Sequence, residues 1–258
     1  MLLTVDVGNS HVVCGLFKDG ALRFHWRLAT QAETTGDELA VTFRGLLGLE
    51  NLSFDEIHGV IIASVVPRMT TAWRTFSRKH LELDPIFVEP GFDTGMPVLT
   101  DRPAEVGADR LVNAVAAYHR YPGALIIVDF GTAITFDCVS ADGAYLGGAI
   151  VPGIGISLEA LGHKAAKLPR LDISEPPASP IGTNTVAAIQ AGIFYGYSGL
   201  VNSLVGRIRQ QMAPATPKVI ATGGMAASVA PQAASIEALE PMLTLEGLRL
   251  LYERHEDE

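Results

Sequence analysis

The chain has 258 residues, 48% hydrophobic and 18% charged, which supplies a sizeable core and excludes a disordered chain. A formal net charge of −9, from 19 basic and 28 acidic residues, leaves no basic face for a general nucleic-acid binder. Two cysteines exclude a disulfide scaffold, no apolar run reaches the roughly 18–20 residues of a spanning helix, and MLLTVDVGNS lacks the basic start of a signal peptide; a soluble cytoplasmic protein without nucleic-acid or membrane partners is expected.

Residues 2–7 are apolar and β-branched and run into the turn signal GNS. Residues 11–17 and 21–28 form two more strand patterns, joined by the hairpin turn Lys18-Asp19-Gly20. Helical spacing covers 36–49, with acidic residues in its first turn. Next come a buried strand over 57–66, a helix opened by Pro67 and reaching about residue 81, and a short strand over 85–89. The stretch 91–108, with Pro97 and Pro103, is loop-like, and loops this long are often binding loops. A helix follows over 108–121 with Asp109 near its start, then a buried strand over 124–133 and strand patterns to Ile150. Residues 153–166 are helical, and 168–182, rich in Pro and Ser, form an exposed loop. A long helical region spans 184–212, with Gly192, Gly196 and Gly199 as candidate bends. Residues 217–224 are a strand into a glycine turn, and 244–255 a closing helix capped by Thr244. The mixture of strands and helices is α/β.

VDVGNS begins at position 5 and VDFGTA at position 128, an offset of 123 residues and nearly half the chain. In each, an apolar strand ends in Asp-x-Gly and a second β-rich run follows; Asn9 corresponds to Thr132 and Ser10 to Ala133. Repetition at a domain length points to two similar domains, 1–115 and 116–258. Glycine lets the backbone approach a phosphate, and consecutive turn amides make an anion-binding concavity. Asn9, Ser10 and Thr132 add side-chain donors, and His11 is a further candidate phosphate contact. A carboxylate beside such a cradle repels phosphate unless a cation lies between, so Asp6 and Asp129 point to bound cations, Mg²⁺ being the natural one with a nucleotide. Asp and Gly are also ordinary turn formers after strands. GxxxxGK[ST] is absent, and GIGISL (153–158) has Leu158 where a dinucleotide fingerprint has its third glycine.

Along nearly its whole length the sequence resembles the type III pantothenate kinases of bacterial coenzyme A synthesis. The segments that carry the resemblance are DVGNSHVVCGLF (6–17), EVGADRLVNAVAAY (105–118), VDFGTAITFD (128–137), GGAIVPGIGIS (147–157), NTVAAIQAGIFYG (184–196), TGG (222–224) and LTLEGLRLLYER (243–254). The resemblance implies two ribonuclease-H-like domains of the actin-like ATPase superfamily, with mixed sheets flanked by helices around a nucleotide cleft. It also implies the reaction of ATP with pantothenate to give ADP and 4′-phosphopantothenate, in a homodimer. By position, it makes Asp6, Val7, Gly8, Asn9, Ser10, His11, Val12 and Val13 the first phosphate loop, with Asp6 near Mg²⁺. Gly107, Ala108, Asp109 and Arg110 become the pantothenate site, Asp109 the general base, Thr132 an ATP contact and Thr185 a substrate contact. Asp129 becomes the ligand of a monovalent cation, potassium or ammonium. One stretch departs: where many members carry YDNP before GADR, with a tyrosine contacting pantothenate, this chain has TDRP, with Thr100 at the tyrosine's place and Arg102 replacing Asn.

A primary alcohol is a poor nucleophile at neutral pH, and a carboxylate within hydrogen-bond reach can take its proton during phosphoryl transfer. Asp109 fits that role, although its place also suits a helix cap or a partner for Arg110. The planar fork of Arg110 suits the pantothenate carboxylate, and Asp109 and Glu105 are alternative partners for it. With no P-loop lysine, cations and backbone donors must neutralise the phosphoryl charge. TGG at 222–224 admits either a flat adenosine or a plain strand-to-helix turn. Cys14 and Cys138 are expected as buried small hydrophobes, and Trp26 and Trp73 in the core or an interface. The rival readings are a non-catalytic regulatory protein on the same fold and a phosphohydrolase or sugar kinase of the superfamily; the three aspartates and GADR weigh against them.

Overall fold

The computed structural model describes residues 1–164 and 176–256. In chain order the strands and α-helices are β1 (Leu2–Val7), β2 (His11–Lys18), β3 (Ala21–Ala29), α1 (Gly36–Leu49), β4 (Gly59–Ser64), α2 (Pro67–Phe76), β5 (Ile86–Val88), α3 (Ala108–Arg120), β6 (Leu125–Phe130), β7 (Ala133–Val139), β8 (Tyr145–Pro152), α4 (Ile154–Lys164), α5 (Thr185–Met212), β9 (Lys218–Thr222), α6 (Ala226–Val229), β10 (Ala238–Leu239) and α7 (Leu243–Glu256). They gather into two units, one of Met1–Gly95, Arg102–Ala116 and Thr244–Glu258, the other of Met96–Asp101 and Ala117–Leu243. Each unit holds one mixed five-stranded sheet flanked by helices, an α/β architecture.

In the first unit the strand order is β3-β2-β1-β4-β5. β1 to β3 form an antiparallel meander, whose second turn places Asp19 (φ 54°) and Gly20 (φ 73°) in the left-handed region that tight hairpins require. β4 is parallel to both β1 and β5. β4 is apolar from Val60 to Ala63 because both of its faces are covered. Val60 and Ile62 pack with Phe43, Trp73 and Phe76 of α1 and α2. Ile61 and Ala63 pack with Val112 of α3 and Leu248 and Leu251 of α7. α1 starts as a capping box: the Glu38 amide donates to Thr35 Oγ1 at 3.3 Å, and the Thr35 amide to the Glu38 carboxylate at 2.7 Å.

Two expectations need correction here. The helix from Pro67 ends at Phe76, and Ser77–Leu81 wind as one π-helical turn that stops at the left-handed Glu82 (φ 58°). That wider turn leaves Leu81 within the α1–α2 core. Thr244 does not cap the last helix, which already begins at Leu243. Its hydroxyl instead donates to Asn113 Oδ1 at 2.7 Å, satisfying an amide only 1% exposed on α3.

The second unit repeats the topology, as β8-β7-β6-β9-β10. β6 takes the place of β1, antiparallel to β7 and parallel to β9. VDVGNS and VDFGTA thus end equivalent central strands. The second turn is one residue shorter: Val7 pairs with Val12, Phe130 with Ile134. Counted back from the returning strand, Ala133 therefore matches His11 and not Ser10. Ile126, Val128 and Phe130 share a core with Phe194, Val201 and Val205 of α5. That helix, capped by Asn184 through the Ala187 amide at 2.9 Å, runs unbroken past Gly192, Gly196 and Gly199. Residues 165–166 of the expected 153–166 helix and 168–175 of the expected loop lie outside the described residues. Residues 176–182 form neither helix nor strand.

Cys14 and Cys138 are buried; burial first, then the Asp6 charge, pushes the Cys14 thiol up. Trp73 is fully buried, while Trp26 is half-buried against the same core. Among the described residues no helix is long and apolar enough to cross a membrane. The ring of Phe43 lies 5.3 Å from Trp73, 5.4 Å from Phe76 and 6.3 Å from Trp26. Phe43→Ala should cost about 3–5 kcal/mol in urea unfolding. Val41→Ala, at a position 76% exposed on the same helix, should stay within about 0.5 kcal/mol.

Candidate active site

The first predicted phosphate loop is the β1–β2 turn. Asp6 is half-buried at the end of β1, paired with Val13 and with Ala63 of β4. The Gly8 amide is committed inside the turn, donating to the His11 carbonyl at 3.0 Å. What glycine supplies there is room, since a Cβ would lie 3.2 Å from that carbonyl oxygen. Asn9, Ser10 and His11 are exposed, Val13 is half-buried, and Val7 and Val12 turn their side chains into the core. Val7 and Val12 therefore offer a ligand only backbone. Thr30 braces the turn: its Oγ1 donates to the Gly8 carbonyl at 2.6 Å, and its amide to the Ser10 carbonyl at 3.0 Å. No motif singled out Thr30, because it acts from the far end of β3.

Gly107, Ala108, Asp109 and Arg110 open α3. The Gly107 carbonyl accepts the Arg110 and Leu111 amides at 3.2 and 3.3 Å, so glycine holds the cap place and Asp109 sits inside the first turn. Asp109 Oδ1 accepts the Arg110 amide at 2.9 Å. A Cβ on Gly107 would lie 2.5 Å from Asp109 Oδ1, so only glycine leaves that carboxylate where it is. Asp109 and Arg110 are half-buried, and Ala108 is buried. Glu105 pairs with Arg102 at 2.8 Å.

In the second unit the backbone closes around Asp129 and Thr132. A Cβ on Gly223 (φ 93°) would fall 2.3 Å from Asp129 Oδ1, and one on Gly153 2.2 Å from the Thr132 carbonyl oxygen. The Gly153 amide donates to that same carbonyl at 3.1 Å, and α4 starts at the next residue. Helix starts present amides that suit anions. Gly223 lies in the TGG turn between β9 and α6, and Gly153 in the PGIG run. Their role in shaping this place was not legible, because it depends on strands brought together from afar.

Thr185 begins α5 and lines a cavity of about 600 Å³ with Thr183, Asn184, Leu161 and Ile189. Thr100 lies beside β8, close to Gly147. Among the described residues no group of three or more His, Cys, Asp or Glu side chains is arranged to hold a metal ion.

The model of the type III pantothenate kinase family matches residues 2–207. The chain belongs to that family. It is 51% identical to the type III pantothenate kinase of Geobacter sulfurreducens over 257 residues, covering 100% of both. It is likewise 51% identical to that of Desulfatibacillum aliphaticivorans over 254 residues, covering 98% of both. The crystal structure of (R)-2-hydroxyglutaryl-CoA dehydratase component A from Acidaminococcus fermentans has the same fold, with a TM-score of 0.55 at 14% identity, over 100% of this chain and 99% of that one.

Although the His11 side chain is exposed, its partial desolvation at the turn, and secondarily the charge of Arg27 across the β2–β3 pair, hold the imidazole below the ordinary histidine range. The unfolded chain therefore takes up this proton first. The contribution of His11 to stability is fully present above the ordinary histidine range and falls as pH drops through it toward the lowered value. In an NMR titration Arg27→Leu should move the His11 midpoint up by part of the shift only, because the partial desolvation at the turn remains.

Proposed function

We propose that the chain transfers the γ-phosphoryl group of ATP to the primary hydroxyl of pantothenate, giving ADP and 4′-phosphopantothenate, the first step of coenzyme A biosynthesis. The observation that carries this reading is identity of about half over the whole chain to type III pantothenate kinases, with GADR opening a helix whose first turn holds Asp109.

Asp109 acts as general base. Its Oδ1 is anchored on the Arg110 amide, which leaves Oδ2 to accept the hydroxyl proton as the new P–O bond forms. Gly107 keeps the space that this carboxylate occupies. Arg110 binds the pantothenate carboxylate through its fork, and Thr100 and Thr185 supply hydroxyls to the substrate. The Asp6 turn and the Asp129–Thr132 turn, in the duplicated halves 1–115 and 116–258, take the ATP phosphates. One carboxylate with nearby backbone carbonyls suits a hard cation whose other ligands are phosphate oxygens. Asp6 would hold Mg²⁺ through the nucleotide, and Asp129 a potassium or ammonium ion. Bound cations would supply positive charge against the transferring phosphoryl group. The enzyme works in the cytoplasm and as a homodimer; the homodimer is supported by Ile156, Leu161 and Val186, which stand 39–45% exposed on α4 and α5.

Purified protein with pantothenate, ATP and Mg²⁺ should form 4′-phosphopantothenate, read by mass, with potassium and not in sodium alone. Asp109→Asn should lower kcat by about 10²–10⁴-fold. Gly107→Ala should lower it too, with an unchanged unfolding midpoint. Equal rates in sodium would remove the cation role of Asp129; no product under any cation would remove the kinase reading.

A further inference from the structure

Asp137, on β7, is a fully buried carboxylate that the chemistry above does not use. A carboxylate is expensive to bury unless hydrogen-bond donors surround it. Thr135 Oγ1 donates to Asp137 Oδ2 at 2.7 Å, and the Tyr145 hydroxyl to Oδ1 at 2.6 Å. Hydrogen bonds of this charge-assisted kind hold a side chain firmly, and Tyr145 has no exposed surface.

The backbone of Tyr145 is engaged as well. Its amide donates to the Pro97 carbonyl at 2.8 Å, and its carbonyl accepts the Leu99 amide at 2.8 Å. Val98 thereby forms a parallel bridge to Tyr145. Residues 97–99 become a strap along the start of β8. The ladder is irregular at this point: Val139 pairs with Tyr145 and Cys138 with Gly147, leaving Leu146 as the extra residue of a bulge. Gly147 has φ 102°, and the Thr100 methyl lies 3.6 Å from where its Cβ would stand. Thr100 Oγ1, at the end of the strap, is buried with no hydrogen-bond partner among the described residues. A buried hydroxyl left in that state is costly until a partner reaches it.

We infer that Asp137 is a positioning residue for pantothenate binding: through the Tyr145 hydroxyl and the 97–99 strap it holds Thr100 at the place where the substrate takes its hydroxyl. The inference rests on the pantothenate kinase reading and on the role given to Thr100.

Three variants of the full-length enzyme test it. Tyr145→Phe removes only the hydroxyl donor. Asp137→Asn keeps the shape but replaces one acceptor oxygen with a donor. Thr135→Ser keeps both hydrogen bonds and serves as the conservative control. Tyr145→Phe and Asp137→Asn should each raise KM for pantothenate about tenfold, the scale of one lost hydrogen bond to a charged group. Neither kcat nor KM for ATP should change more than about twofold, and Thr135→Ser should match wild type. In the same Tyr145→Phe protein, amide exchange at Leu99 should quicken relative to amides in β6. Should Asp137→Asn fail to fold, Tyr145→Phe decides alone. An unchanged pantothenate KM in Tyr145→Phe, or a KM for ATP that rises and a kcat that falls along with the rise in pantothenate KM, overturns the inference while leaving the kinase reading intact. A wild-type enzyme that does not turn over pantothenate removes both.

Discussion

At the end of β6 the Asp129 carboxylate stands where neighbouring backbone comes too close for side chains. The register sets this up, because Asp129 pairs with Thr135 on one side and Thr222 on the other. The residue after Thr222 must therefore turn away beside the carboxylate, and only a residue without a Cβ fits at 2.3 Å from Asp129 Oδ1 in a left-handed conformation. Gly153 meets the same demand against the Thr132 carbonyl. The equivalent end of β1 is built differently. There the residue following β4's Ala63 is Ser64, whose hydroxyl donates to the Val66 carbonyl at 3.2 Å and accepts from Thr70 at 3.0 Å. One topology thus ends in two kinds of surface, one closed by bare backbone and one braced by hydroxyls.

Where sequence reading succeeded, it rested on local signals. The apolar run through β4, the Asp-Gly hairpin turn and the Pro67 helix start each follow from short-range chemistry. The repeat of Asp-x-Gly foretold two equivalent strand ends, because each copy carried its own strand and turn. What was hidden depends on distant partners. Thr244 looks like a cap, yet its hydroxyl answers the buried Asn113, more than a hundred residues away. Thr30 carries no signal of its own, and the runs that hold Gly153 and Gly223 do not show that these glycines make room for the Thr132 carbonyl and the Asp129 carboxylate; each matters for what a remote strand places beside it. In the sequence Asp137 is only the last residue of VDFGTAITFD, and its burial follows from the pairing of β7 with β8.

The departure at TDRP can be weighed in the same terms. Arg102 reaches Glu105 three residues on, and both side chains are largely exposed; such pairs add little to stability. Arg102 therefore reshapes the surface before α3 without holding the turn together. Against the tyrosine that the resemblance puts at its place, Thr100 is the shorter side chain. Yet the strap that carries Thr100 is bonded through backbone atoms of Pro97, Leu99 and Tyr145. Backbone pairing of this kind does not depend on the side chain that follows it. The chain path into Thr100 is thus held by backbone bonds to Tyr145, whatever side chain stands at position 100.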